Sequence, residues 1–439
     1  MIHFQDRGFP GQSQDPIQLP VAKAVEVALS SLKSAASDPF NRKEAWSVIR
    51  SYLISQINLD DSRLSLEQLF KHPSFQEGDI SSASTTSYVC PDPHARHVHM
   101  EALSGLFVAA AIKDLRSQVL PTMNHLVKHY TMVAISQQAG PLPLDAEKSH
   151  FFMDPHVVVD ALAAIMGHEE KELCKPGILV FNLILGTAET VLGSHKRAAQ
   201  LPLFEYLSQK MCALCYERAW YAKLGGCHAI KFMFEHMSAT WVYDHAFIFL
   251  KALLFVMMDL TGGVSSGALD MAKSNLDQLL IHIAKEPVVS PPAESPEAAA
   301  GEMELLLASQ KKSLHEVTHE LVRQITSPNE TIREQAMQSL KVLAENQVPK
   351  KTVTEVMVPH KDTLVEMIPP KKHLLRLQPV CAQIGIMEGN TFCNTLQPRL
   401  FTIDPNVNES KPHLIFVTEL VTLCDMDDAS LMKVPQQDR

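Results

Sequence analysis

The chain has 439 residues, a formal net charge of −10, and 46% hydrophobic against 20% charged residues. A single hydrophobic core stops growing at roughly 250–300 residues, so this length predicts several domains or a repeat architecture. Seventeen glycines are few for an α/β enzyme, which needs glycine in its turns, so the composition favours helices joined by short loops. Because the chain is acidic and has no long basic run, we do not expect it to bind nucleic acid directly.

The beginning of the chain is polar. Residues 1–18 carry Pro and Gly and have no apolar signal-peptide core, so we expect a disordered or poorly ordered start. The eight cysteines of the chain are irregularly spaced, which is typical of reduced thiols in a reducing compartment.

Residues 19–285 show helical spacing and are predicted to form HEAT-like helical repeats, with a polar, Ser- and Thr-rich loop near 76–95. After this loop, His94, His97 and His99 stand beside Glu101 and offer metal-ligand chemistry. Nothing distant in the sequence completes a metal site, so a solvated loop is the preferred interpretation.

Two further patterns contain metal-ligand types. His168-Glu169-Glu170 resembles half of a zinc-protease motif, but the second His is missing because position 172 is Glu. Cys212 and Cys215 form a CxxC that is followed by Cys227 and His228, which zinc would accept. Apolar neighbours on a helix favour buried thiols instead. We therefore assign no catalytic, cofactor-binding or metal-ligating residue and expect no cofactor.

The most apolar run, Ala246 to Leu260, is shorter than the roughly 20 residues that span a membrane and contains Lys251. We interpret it as a helix buried on all sides and expect no membrane contact. The next segment, Thr261 to Gly267, resembles a phosphate loop without its Lys. A helix-to-helix turn capped by Ser265 explains it better.

Residues 286–301 read EPVVSPPAESPEAAAG and are predicted to be a Pro-, Ser- and Glu-rich insertion. Residues 302–435 are again predicted to be helical repeats. Apolar residues recur there at intervals of three and four, as they also do from residue 268 to 283. These sets are Leu314, Val317, Leu321 and Ile325; Ile332, Ala336, Leu340 and Leu343; and Ala268, Ala272, Leu276, Leu279 and Ile283.

The turn between two of these helices suggests how they pair. Ser327 suits an N-cap, Pro328 suits the first helical turn, and Glu330 suits a capping box. The turn between the two helices is therefore very short, and the helices must be antiparallel. Arg333 should lie near this turn and bridge to an acidic or carbonyl partner in an adjacent unit. A helix near Val353 to Ile368 follows, and Pro359 should bend it. This order is typical of a HEAT unit of about 40–47 residues. The predicted fold is an all-α, HEAT-like helical-repeat solenoid, and the alternative is an irregular helical bundle.

Several long segments resemble a known family. They are Gln200-Leu-Pro-Leu-Phe204, Ala219-Trp-Tyr-Ala-Lys-Leu-Gly-Gly226, Phe249-Leu-Lys-Ala-Leu-Leu-Phe-Val-Met-Met-Asp-Leu-Thr-Gly262, Pro369-Pro-Lys-Lys-His-Leu-Leu-Arg376, Ile384-Gly-Ile-Met-Glu-Gly-Asn-Thr-Phe-Cys393 and Leu396-Gln-Pro-Arg-Leu-Phe-Thr402. These segments are similar to the transformation/transcription domain-associated protein (TRRAP) family, and weaker similarity, which includes the segment from Val21 to Leu29, runs back almost to the start of the chain.

The resemblance implies a giant pseudokinase of the phosphatidylinositol-3-kinase-related class, most of which is helical solenoid. The family is a nuclear, non-catalytic subunit of histone acetyltransferase assemblies, SAGA and the NuA-four or TIP-sixty type. It receives transcription activators and recruits the acetyltransferase to chromatin, with roles in transcription and DNA repair. This chain contains neither the FAT region nor the kinase-like domain of the family, so it is expected to be an internal piece of the solenoid.

The expected partners are therefore transcription activators and acetyltransferase-complex subunits in the nucleus, with no small-molecule substrate. The resemblance gives no short motif that assigns activator-binding residues. The alternative functions are a karyopherin-like nuclear transport receptor, which is also an acidic HEAT solenoid, and a zinc-dependent hydrolase using Cys212, Cys215, Cys227 and His228. Binding to a small GTPase would distinguish the first alternative, and metal analysis the second.

Overall fold

We describe the fold from a computed structural model, which describes residues 19–34, 37–56, 93–138, 154–260, 267–287, 296–367, 375 and 377–401. Within these ranges the secondary structure is α-helix and short 3₁₀-helix, without a strand. The predicted fold class is confirmed: the chain is an all-α, HEAT-like helical-repeat solenoid. It divides into two compact units at Ser238 and Ala239.

The first unit contains nine of the described α-helices. They are α1 Leu19–Lys33, α2 Pro39–Gln56, α3 Pro93–Ala111, α4 Arg116–Gln138, α5 His156–Met166, α6 Cys174–Leu192, α7 His195–Ala199, α8 Pro202–Leu214 and α9 Trp220–His236.

These helices pack as antiparallel pairs that stack on one another. The pairs are α1 with α2, α3 with α4, α5 with α6, and α8 with α9. Successive pairs contact through two rows: α3, α5 and α8 form one row, and α4, α6 and α9 form the other. Each pair buries its apolar faces against the pair before and the pair after it, which is the packing principle of a solenoid.

The second unit repeats this arrangement. Its helices are α10 Ala239–Asp259, α11 Ala268–Ala284, α12 Pro296–Gln324, α13 Glu330–Asn346, α14 Val353–Met357, α15 Lys361–Met367 and α16 Val380–Thr395. One row contains α10, α12 and α15, and the other contains α11, α13 and α16.

The periodic apolar residues lie where their spacing predicts. Ala268, Leu276 and Ile283 are fully buried on α11, as are Leu321 on α12 and Leu340 on α13. Pro359 interrupts the third helix as expected, because a 3₁₀ turn at Val358–His360 separates α14 from α15.

Two predicted helix caps are wrong. The N-cap of α13 is Asn329, whose side chain accepts a hydrogen bond from the Ile332 amide, while Ser327 Oγ accepts from the Asn329 amide. The N-cap of α11 is Gly267, at φ +90°, and not Ser265. A left-handed backbone at this position suits glycine, which has no Cβ to clash.

Several predicted boundaries fall at or beyond the edges of the described ranges. Residues 1–18 lie outside them, as do 288–295 of the 286–301 insertion and 402–435 of the last repeat segment. Helix α12 begins at Pro296, so residues 296–301 are helical and do not belong to an insertion. Likewise α3 begins at Pro93, so residues 93–95 of the predicted loop near 76–95 are helical.

Two described helices, Cys174–Leu192 and Ala239–Asp259, are long and apolar enough to cross a membrane by length and composition. Each has half or more of its residues buried inside the fold, as core helices do. The expectation that the Ala246–Leu260 run is buried on all sides is too simple, because Ile248, Lys251 and Met258 form an exposed stripe on α10.

Candidate interaction surface

The histidines near residue 97 lie on a helix, so their interpretation as a solvated loop is wrong. His94, His97 and His99 belong to α3, and His99 is only 6% exposed. Its ring shares a hydrogen bond with the Tyr130 hydroxyl of α4. Burial, with the nearby Arg96 charge, lowers the pKa of His99 to about 3, so the ring is neutral at physiological pH.

The CxxC thiols lie in the contact between α8 and α9. Cys212, Cys215 and Cys227 are buried, and a Cβ added to Gly226 would stand 2.7 Å from Cys215 Sγ. Burial raises the pKa of Cys212 to about 12, and a hydrogen bond with Cys227 together with burial raises the pKa of Cys215. The predicted burial of these thiols is confirmed.

The His168-Glu-Glu segment is a short connection between α5 and α6, in which His168 Nδ1 accepts a hydrogen bond from the Glu170 amide. Among the described residues, no group of three His, Cys, Asp or Glu side chains is placed to hold a metal ion. Residues 261–266, and the basic residues Lys371, Lys372, His373 and Arg376, lie outside the described ranges.

A buried carboxylate connects three helices of the first unit. Asp160 on α5 accepts hydrogen bonds from Arg96 Nη2 of α3 at 2.5 Å and from Tyr206 Oη of α8 at 2.8 Å, and Lys210 Nζ lies 2.9 Å away. Arg96 also donates to Asp154 at 3.1 Å. Burial alone would raise the pKa of Asp160, but the bonds from Lys210, Arg96 and Tyr206 lower it. The carboxylate therefore stays ionised and joins successive helices of one row.

A second ionic contact stabilises the stacking in the other unit. Arg333 on α13 is 2% exposed, donates from Nε to Glu388 Oε2 of α16 at 2.5 Å, and donates from Nη1 to the Ser327 carbonyl at 2.8 Å. A Cβ at Gly385 would lie 2.5 Å from the same carbonyl oxygen, so α16 packs directly on the turn before α13. The prediction that Arg333 bridges to an acidic or carbonyl partner in an adjacent helical repeat is confirmed.

The surface also exposes large apolar side chains on helices that are otherwise buried. Leu179 on α6 is 40% exposed and Ile248 on α10 is 39% exposed. The Ile248 stripe is divided by Asp244 and Lys251, whereas α6 carries no charged residue from Pro176 to Ala188. This face was not predicted, although the uncharged run in the sequence signals it, because periodicity alone does not show which side of a helix a neighbour covers.

The family model for the Tra1 HEAT repeat ring region matches residues 2–439. The chain belongs to this family. It is 51% identical to the transformation/transcription domain-associated protein of Danio rerio and 50% identical to that of Homo sapiens, in each case over 95% of the chain. It is 22% identical, over 98% of its length, to the SAGA complex/NuA4 acetyltransferase complex subunit TRA1 of Saccharomyces cerevisiae.

The chain spans only 11% of the length of each of these relatives. The family resemblance expected from the sequence is confirmed, together with the assignment of the chain to the helical-repeat part of the family.

Proposed function

We propose that this chain is a non-catalytic scaffold segment of nuclear histone acetyltransferase complexes of the SAGA and NuA4 type. In this role it receives transcription activators and contributes to recruiting the acetyltransferase to chromatin, in transcription and in DNA repair. The observation that carries the proposal is the match of residues 2–439 to the Tra1 HEAT repeat ring region, whose yeast relative is named as a subunit of both complexes.

The structure supports a binding role more than a catalytic one. A solenoid exposes long surfaces whose shape is set by contacts between neighbouring pairs. The groups with strongly shifted pKa values, such as His99 and Cys212, are buried in contacts between helices. A catalytic acid or base must instead reach a substrate. Asp160 and Arg333 are likewise engaged in holding helices together.

The test is affinity purification of the tagged 439-residue chain from nuclear extract, followed by an assay of acetyl transfer to core histones and mass spectrometry of the eluate. We expect acetyltransferase activity and subunits of both complexes at levels well above those recovered with the tag alone. A folded chain whose eluate shows no more acetyltransferase activity than the tag control would contradict the proposal. Recovery of a small GTPase of the transport machinery instead would favour the karyopherin-like alternative.

A further inference from the structure

Helix α6 presents an apolar face that the described helices leave uncovered. Its buried side, which includes Val180, Phe181 and Ile184, packs into the unit, and Phe181 stacks on Phe232 of α9 with ring centroids 5.1 Å apart. The opposite side is exposed or half-exposed: Ile178, Leu179, Asn182, Leu183, Gly186, Thr187, Glu189 and Thr190. Glu189 is the acidic residue of this side, and it pairs with His195 of α7.

Three polar side chains on this face each donate one hydrogen bond to a carbonyl of the same helix. Asn182 Nδ2 donates to the Ile178 carbonyl at 3.0 Å, and the Thr187 and Thr190 hydroxyls donate to the Leu183 and Gly186 carbonyls at 2.6 Å. A partner that covers the face therefore does not have to replace these hydrogen bonds.

The face lies in the middle of a row, because α4 contacts α6 on one side and α9 contacts it on the other. Stacked pairs of this unit therefore cannot cover it. At Gly186 no heavy atom lies within 4 Å of an added Cβ, so a partner backbone can approach closely there.

The surroundings of the face are basic. Helices α4, α6 and α9 together carry five Lys or Arg and only two acidic residues, Glu189 and Glu235, in a chain whose net charge is −10. Four of the five basic residues reach the surface: Arg116, Lys128, Lys175 and Lys231. Both glutamates already lie beside a basic group, Glu189 at His195 and Glu235 at 3.7 Å from Lys231. Lys175 is likewise paired with Glu172 at 2.6 Å, whereas Arg116 and Lys128 form no ion pair among the described residues. The row of α3, α5 and α8 differs, since it carries two basic and three acidic residues.

We propose that the outward face of α6, from Ile178 to Thr190, docks a short amphipathic helix with bulky apolar residues on one side and acidic residues on the others. The apolar side would cover Leu179, Leu183 and Gly186, and the acidic sides would face Lys128 and Lys231. This inference rests on the proposed function, because acidic segments of transcription activators have this chemistry. The face is about 18 Å long at 1.5 Å per residue, which fits a partner helix of about three turns.

The test measures binding of the full 439-residue chain to a fluorescein-labelled probe by fluorescence anisotropy. The probe is a synthetic peptide of Asp, Glu, Leu and Phe, with its apolar residues at positions i, i+4 and i+7, and a scrambled peptide of the same composition is its control. We expect micromolar binding of the probe, because a disordered segment loses entropy when it orders. Binding should weaken as salt increases.

Two substitutions at one position separate the effect of charge from that of folding. Glu and Lys are both better helix formers than Gly, and Gly186 has open space, so Gly186→Glu and Gly186→Lys should both keep the thermal stability of the chain. Gly186→Glu should weaken probe binding at least tenfold, since it places a negative charge in the docking face. Gly186→Lys should bind within about threefold of the unsubstituted chain, because its charge matches the basic rim. Ile248→Glu, at a similarly exposed apolar position on α10, should leave binding unchanged.

Equal affinities of the Gly186→Glu and Gly186→Lys variants would overturn the docking assignment, and so would an equal loss with Ile248→Glu or equal binding of the scrambled peptide. Absence of any probe binding would overturn it too. Self-association, or sedimentation with phosphatidylserine vesicles, that Gly186→Glu abolishes would assign the face to a second copy or to a membrane instead. The purification experiment is independent of this one. A chain that binds the probe but recovers no acetyltransferase would contradict the scaffold role and keep the docking site.

Discussion

Arg333 gives a sharp test of how the repeats hold together. The substitution Arg333→Met keeps much of the side-chain length and removes the charge and both hydrogen bonds. The guanidinium bridges Glu388 of α16 and the Ser327 carbonyl of the preceding turn, at 2.5 and 2.8 Å. It therefore connects α13 to α16 and to the turn that precedes α13.

The expected loss of stability depends on how well water can solvate each former hydrogen-bond partner of Arg333 in the variant. The Glu388 side chain is 52% exposed, so water can solvate it again, and its share of the loss is small. The Ser327 carbonyl has α16 close against it at Gly385, which hinders its hydration. An unsatisfied, largely enclosed carbonyl costs about 1–3 kcal/mol, and a lost hydrogen bond to a charged group costs about 1.5–3 kcal/mol. We expect a total loss of about 2–4 kcal/mol in the second unit.

Hydrogen–deuterium exchange with mass spectrometry can localise this loss, which matters because a chain with two units need not unfold in one step. At 1.4 kcal/mol per tenfold change, protection of α13 and α16 amides should fall roughly 30- to 700-fold, with α3 unaffected. The matched variant Glu388→Gln should reduce protection much less, because glutamine can still accept from Arg333. Substitutions at exposed positions change protection by no more than about threefold. If protection of α16 in Arg333→Met stays within that range of the unsubstituted chain, this contact does not stabilise the stacking.

Three further expectations concern the core, the thiols and pH. Replacing Leu340 or Leu321 with Ala should destabilise the second unit by roughly 2–5 kcal/mol in urea titrations, since both side chains are fully buried. A change below about 0.5 kcal/mol would mean that these residues do not face the core. Iodoacetamide at pH 8 should label the exposed Cys381 before the buried Cys212, whose pKa is about 12, and equal rates by mass spectrometry would refute this order. The pKa of His99 is about 3 in the fold and about 6.5 when unfolded, so the unfolded state binds the proton first. Stability should therefore fall, by up to about 1.4 kcal/mol per pH unit, as pH decreases from 6.5 towards 3. His99→Gln should flatten this slope in urea midpoints between pH 7 and 5, and an unchanged slope would assign the acid sensitivity to other groups.

Much of the architecture could be predicted from local spacing. The apolar steps of three and four residues in α11, α12 and α13 identified both the helices and the faces that they bury. Pro359 and Arg333 were also predictable, because a proline disrupts a helix wherever it lies and an arginine beside a tight turn has carbonyls within reach. These features depend on neighbours within a few residues along the chain.

The errors arose where the outcome depends on competition or on distant residues. Both Ser327 and Asn329 can cap α13, and the turn geometry decides in favour of Asn329. The burial of His99 depends on Tyr130, which is 31 residues away on another helix. The docking face on α6 could not be located either, because its uncharged run fits a helix covered on one side as well as one covered on all sides.

The charged residues of the two rows in the first unit have different roles, and these roles determine where a partner can bind. In the row of α3, α5 and α8, Arg96 and Lys210 are engaged by Asp160, so these charges stabilise the stacking and attract partners less. In the row of α4, α6 and α9, basic residues outnumber acidic ones. Lys175 and Lys231 have carboxylate partners there, but Lys128 forms no ion pair among the described residues. Burying Leu179 and Leu183 under a partner gains hydrophobic free energy without the desolvation of an ion pair. The basic rim favours acidic partners over others of similar shape. One row is therefore suited to hold the repeats together, and the other to receive a partner without disturbing them.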